Sequence, residues 1–166
     1  AAETQRLADA VGYVLAQPVI APTDLPPFDN SAMDGYALHA SDTQAACSQQ
    51  PVKLTIAGEV AAGGWQETPV APGTAVKIMT GAALPPGADT VLMLEAGRLR
   101  DGIVAIDAPV PRGTHIRRRG EDVRRGQLLA EAGIRLNAQH LGLLAGSGIA
   151  QVRVHRPVRV ALLATG

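Results

Sequence analysis

The chain has 166 residues, 46% of them hydrophobic and only 2% aromatic, with no formal net charge. That length admits one ordinary domain or two small ones, built around a core of Val, Leu, Ile and Ala. A single cysteine, Cys47, excludes an intrachain disulfide; no run of about 18 apolar residues offers a membrane span, and AAETQRLADA shows no secretory pattern.

The neutral total conceals an asymmetry. Residues 1–60 hold seven acids against Arg6 and Lys53, whereas residues 61–166 hold thirteen bases against eight acids. Five of those bases lie in RRRGEDVRR, 117–125. Halves of opposite sign attract each other or converge on a ligand that needs both.

In chain order, TQRLADAVGYVLAQ (4–17) places Leu7, Val11, Val14 and Leu15 on one helical face. With Thr4 as N-cap and Pro18 as stop, it predicts a helix. A short strand, PVIAP (18–22), follows. Then PPFDNSAMDGYAL (26–38) crowds Asp29, Asn30, Ser31, Asp34 and Gly35 into seven positions. Asp and Asn bond readily to nearby backbone N–H groups and Gly35 tolerates positive φ. The run is therefore either an elaborate turn or a rigid bend that presents Asp34 to a cleft, ready for a cation or a proton.

From there to residue 113 the texture is short and β-like: KLTIAGEV (53–60), AVKIMTG (75–81), DTVLMLE (89–95) and a hairpin, RLRDGIVAI (98–106), turning at Asp101-Gly102. Glycine- and proline-bearing connections separate these strands. Trp65 is read as a loop anchor, Met33 and Met79 as packing residues, and Cys47 as a surface or half-buried thiol. Thr80-Gly81-Ala82 leaves a strand with small residues, so its backbone N–H groups are expected to be open to an anion. No Walker loop is present. In HIRRRGEDVRRG (115–126) the arginine forks suit oxyanions. Glu121 and Asp122 beside them argue against a nucleic-acid strip. The four histidines lack metal-ligand spacing and there is no C-x-x-C, which argues against structural zinc.

Beyond residue 126, Asn137 is expected to cap a short helix, NAQHLGLLAG, with Leu141 and Leu144 among its apolar positions. VALLA before Thr165-Gly166 reads as a buried strand entering a βα unit, so the chain is expected to be a fragment reaching the threshold of a further domain.

The order FDNSAMDGYA, IMTGAALPPGADTV, IRRRGEDV, VRVALLATG resembles the MoeA family of molybdenum insertases, relatives of the gephyrin E domain. The resemblance covers essentially the whole chain and corresponds to the N-terminal part of such a protein. It implies an α+β, mainly β fold: bifurcated, coiled β-sheets with a few short helices, one lobe inserted into the other. Residues 1–19 with 121–150 would form one lobe, 20–120 the inserted β-rich lobe, and 151–166 the connection to a truncated molybdopterin-binding α/β domain. It also implies insertion of molybdate into adenylylated molybdopterin with release of AMP, assisted by a divalent cation such as Mg²⁺. The family implies a cytoplasmic homodimer, supplied by a molybdopterin adenylyltransferase, with no nucleic acid or membrane partner.

Carried over by motif, Asp34, Thr80 and Asp122 would be catalytic, with Asp34 and Asp122 as Mg²⁺ ligands. Ser31, Gly81, Ala82, Arg117, Arg118, Arg119 and Glu121 would bind substrate or anion. The resemblance implies that the fragment alone is inactive. A gephyrin-like scaffolding module and a purely structural dimerisation arm are the competing readings.

Overall fold

The computed structural model describes residues 1–166, which divide into two compact units: Ala1–Leu25 with Asp122–Gly166, and Pro26–Glu121. Thirteen strands follow one another: β1 (Ala2–Arg6), β2 (Val14–Leu15), β3 (Val19–Ile20), β4 (Asn30–Ser31), β5 (Gly35–Leu38), β6 (Val52–Val60), β7 (Thr74–Ile78), β8 (Thr90–Met93), β9 (Gly97–Arg100), β10 (Ile103–Ile106), β11 (Ile116–Arg117), β12 (Leu128–Ala130) and β13 (Gln151–His155). One α-helix, α1, spans Ala138–Gly146. The architecture is mainly β, as the resemblance implied.

In the unit formed by the two chain segments, β13 is the central strand of a three-stranded sheet, β1-β13-β2. Residues 151–155, expected to be part of a connection, are thus integral to this unit. Along β13 the burial alternates, and Val152 and Val154 point into a core with Leu7, Leu15, Leu136 and Leu144. Helix α1 begins as expected. The Asn137 side chain accepts from the His140 N–H at 3.0 Å, and His140 Nδ1 accepts from the Asn137 N–H at 3.2 Å.

The predicted helix over 4–17 does not form. Its first residues are β1, paired in register with β13 from Ala2↔His155 to Arg6↔Gln151. A single 3₁₀ turn, Leu7–Asp9, follows, and Gly12 sits at φ 83°, a left-handed conformation that no right-handed helix accommodates. Leu7 and Leu15 are buried, but Val11 is 56% exposed, so the apparent apolar face is not one. The predicted VALLA strand is also absent: Val160, Leu162 and Leu163 are exposed and residues 157–166 pair with nothing. A strand needs a neighbour to satisfy its backbone groups.

The unit Pro26–Glu121 is organised by a six-stranded sheet, β8-β5-β7-β6-β10-β9, antiparallel except for β6 with β7. Strand β5 is buried on both faces, with Tyr36 and Leu38 facing one apolar cluster and Ala37 the other. A register irregularity between Ile56 and Gly58 explains how Leu54 and Val60, an even number of residues apart, serve opposite faces. The hairpin β9–β10 turns as predicted, with Asp101 at φ 50° and Gly102 at φ 73°.

Candidate functional site

The stretch around Asp34 is a bend held at three levels. Gly35 opens β5 so close to β8 that a Cβ there would lie 1.9 Å from the Leu92 carbonyl oxygen. Ser31 is buried, its hydroxyl donating to the Met33 carbonyl and accepting from the Met33 N–H at 3.3 Å. The Leu94 N–H donates to the Asp34 carbonyl at 2.9 Å. The bend and the presented carboxylate are therefore parts of one arrangement.

Asp34 itself is exposed. Its Oδ1 accepts two hydrogen bonds from Thr80, one from the backbone N–H and one from the hydroxyl, both at 2.7 Å. The Thr80 N–H first, then its hydroxyl, hold the Asp34 carboxyl below the usual carboxylate range; the nearby Lys77 charge adds to this against slight desolvation. Lys77 is placed by the β5–β7 ladder, where it lies opposite Tyr36. Oδ2 accepts no hydrogen bond from the protein. The result is an ionised carboxylate with one oxygen anchored and one presented outward.

The loop after Thr80 and the arginine segment are tied to the same motif. Asn30–Ser31 pairs with Ile116–Arg117 on one side and bridges to Ala83 on the other. The Leu84 N–H donates to the Asp29 carbonyl at 2.9 Å. Both Asp29 carboxylate oxygens are engaged, one by the Arg119 N–H at 2.8 Å and the other by Arg118 Nη1 at 2.6 Å. The Arg119 N–H does most to hold the Asp29 carboxyl below its ordinary range; burial opposes this and the Arg118 hydrogen bond and charge reinforce it. Sequence reading noted Asp29 without giving it a role. Nothing local reveals a partner ninety residues away.

Several expectations need correction. The Gly81 and Ala82 N–H groups are not open to an anion: Gly81 donates to the Ser31 carbonyl at 2.8 Å and Ala82 to the Met79 carbonyl at 3.0 Å. Small side chains bared these amides, and the fold then used them. Buried Ser31 is a structural residue of the bend. The Thr80 hydroxyl, expected to donate to an oxyanion, donates to Asp34 instead. Glu121 closes its own loop, accepting from the Arg118 N–H at 2.8 Å and pairing with Arg117 at 3.4 Å, so it is no anion ligand. Trp65 anchors nothing, being 72% exposed, and Met33 is exposed as well. Cys47 is an exposed thiol.

Arg117 and Arg118 keep their side chains half-exposed. Asp122 falls in the other unit, where its N–H donates to the Leu25 carbonyl at 3.0 Å. No group of three or more His, Cys, Asp or Glu side chains is arranged to hold a metal ion. Mg²⁺, however, is commonly held by one or two carboxylates with waters and substrate oxygens. The outward Asp34 oxygen fits as one such ligand.

A β-rich sheet presenting an acid on the MDGYA bend, clamped by the threonine of MTGA and flanked by RRRGED, has the make-up of a MoeA-type N-terminal region. The sequence profile described as MoeA N-terminal region (domain I and II) matches residues 1–148, and the chain belongs to this family. It is 43% identical to molybdopterin molybdenumtransferase 2 of Mycobacterium tuberculosis over 163 residues, covering 98% of this chain and 40% of that protein. The molybdopterin molybdenumtransferase of Synechococcus elongatus is 40% identical over 92% of this chain and 38% of its own length. A crystal structure of the molybdopterin biosynthesis MoeA protein from Pyrococcus horikoshii superposes with a TM-score of 0.88 at 38% identity, over 93% of this chain and 41% of that one. The chain thus spans about two fifths of the length of these relatives.

Proposed function

We propose that this chain is the N-terminal part of a molybdopterin molybdenumtransferase, which inserts molybdenum from molybdate into adenylylated molybdopterin and releases AMP. The observation that carries the reading is the Asp34–Thr80 clamp, an ionised acid with one oxygen presented outward, in a chain related to proteins of that name. Thr80 orients Asp34 and keeps it deprotonated. Asp34 then holds a divalent cation or accepts a proton at Oδ2. A bound Mg²⁺ supplies charge neutralisation for phosphate and molybdate oxygens. Arg117 and Arg119 add positive charge for the anionic substrate, while Asp29 holds Arg118 and fixes the arginine loop.

The proposal includes a pterin-binding domain outside this sequence, a cytoplasmic homodimer, and supply of substrate by an adenylyltransferase. No helix of the structure is long and apolar enough to cross a membrane. The test is AMP release from adenylylated molybdopterin by the full-length protein with molybdate and Mg²⁺. Asp34→Asn should lower the rate by about 100-fold, the lower range for a positioned acid–base group. An unchanged rate would leave the chain as a structural arm.

A further inference from the structure

We infer that a groove beside Asp29 binds a planar, amino-bearing nitrogen heterocycle stacked on the Trp65 indole. The chain has only four aromatic residues, and its sole Trp and sole Phe line this one groove. Trp65 is 72% exposed and Phe28 42% exposed, whereas Tyr36 is buried in the core. Leu84 and Pro86 complete an apolar lining around a space of about 520 Å³. An indole left in water on a loop has no packing role, and its faces are suited to stacking a flat ring.

The polar atoms at the rim select the ring. The Gln66 Nε2 group donates one proton to the Thr68 carbonyl at 2.7 Å, which leaves its second N–H to donate and its Oε1 to accept. Each Asp29 oxygen already takes one hydrogen bond, from Arg119 or Arg118, and its remaining lone pairs can only accept. A rim that accepts at Asp29 and both accepts and donates at Gln66 suits a ring edge that sets exocyclic amine and ring N–H donors beside ring-nitrogen acceptors. The groove also lies on the backbone that carries the Asp34–Thr80 clamp. Asn30 bridges Ala83 and Asp29 accepts from Leu84, four residues after Thr80 and so no more than about 14 Å away along the chain. This rests on the insertase reading, whose substrate carries two such rings, adenine and pterin. One ring in the groove would hold the substrate while its reacting end meets Asp34.

Trp65 being the only tryptophan, the emission of the 166-residue chain reports on this site alone. Titration with AMP, and separately with 6-hydroxymethylpterin, should quench it saturably in at least one arm, and ribose 5-phosphate should not. The arm that saturates identifies the ring. By calorimetry, Trp65→Leu should weaken that ligand about tenfold and Trp65→Phe much less, as expected for loss of one stacking face. The melting temperature of each variant should match the parent, since the side chain is exposed. Quenching by both ligands no stronger than that of free N-acetyltryptophanamide overturns the inference, as does binding that Trp65→Leu leaves unchanged. The insertase reading is judged separately: a chain that binds AMP while its full-length form releases none keeps the groove and loses the reaction.

Discussion

Asp29 and Asp34 stand five residues apart in one motif and both have depressed carboxyl pKa values, yet they are built for different ends. Around Asp29 each oxygen has its own donor, from a loop ninety residues away. Around Asp34 both donors come from one residue and converge on one oxygen. The first arrangement ties both oxygens of a carboxylate into joining two loops. The second fixes a carboxylate and keeps half of it available. A lowered pKa alone does not distinguish a structural acid from a chemical one; the distribution of donors over its two oxygens does.

That contrast can be broken most severely at Gly35, where β5 begins directly after Asp34. Gly35→Ala should destabilise the unit by about 3 kcal/mol, at the upper end for overpacking, because the obstructing atom is a backbone carbonyl. Urea denaturation checks it, and a change below 1 kcal/mol () would mean that the strands part without cost. Next comes Asp29→Ala. It should cost about 1–2 kcal/mol, the scale of hydrogen bonds to a charged group reduced for partial exposure, while Oδ2 of Asp34 stays as presented. Asp34→Asn should do the reverse, leaving the melting curve almost unmoved while lowering the rate by about 100-fold.

A milder probe is Thr80→Val, which keeps the backbone donor and shape but deletes the hydroxyl. The Asp34 carboxyl should then titrate at higher pH in a carboxyl-carbon NMR titration, yet remain below its ordinary value because the N–H bond persists. The smallest effect is in acid. A depressed native pKa gives stability that is complete above the unfolded value, near 3.8 for Asp, and is lost as pH falls through the native one. The stability gap between the parent and Asp29→Asn should therefore be constant from neutral pH to about pH 5 and narrow below pH 4. A gap that persists undiminished in acid would assign the effect of Asp29 to shape instead of charge.

Where structure depends on near neighbours, the sequence was a good guide. The Asp101-Gly102 hairpin and the Asn137 cap are set by a few adjacent residues, and both were legible. The stretch 4–17 was not, because its spacing mimics a helix while its true partner is β13, about 150 residues along. The site shows the same division. MDGYA and MTGA marked Asp34 and Thr80, but not that Thr80 donates to Asp34 and has no proton left for a ligand. Open amides at Gly81 and Ala82 were inferred from side-chain size, whereas only the fold determines whether an N–H already has an acceptor.

The pairing of β1 with β13 also bears on how the chain emerges during synthesis. The segment Pro26–Glu121 holds all six strands of its sheet and can close once residue 121 has left the ribosome. Strand β1, made first, must wait with an unpaired edge until residues 151–155 arrive. Domains generally fold as units while translation proceeds at roughly 5–20 residues per second, so this wait lasts on the order of ten seconds or more. The inner segment thus matures before the outer one, and an arrested nascent chain with only residues 1–130 outside the ribosome should resist protease across 26–121 while remaining cleavable within its first 25 residues.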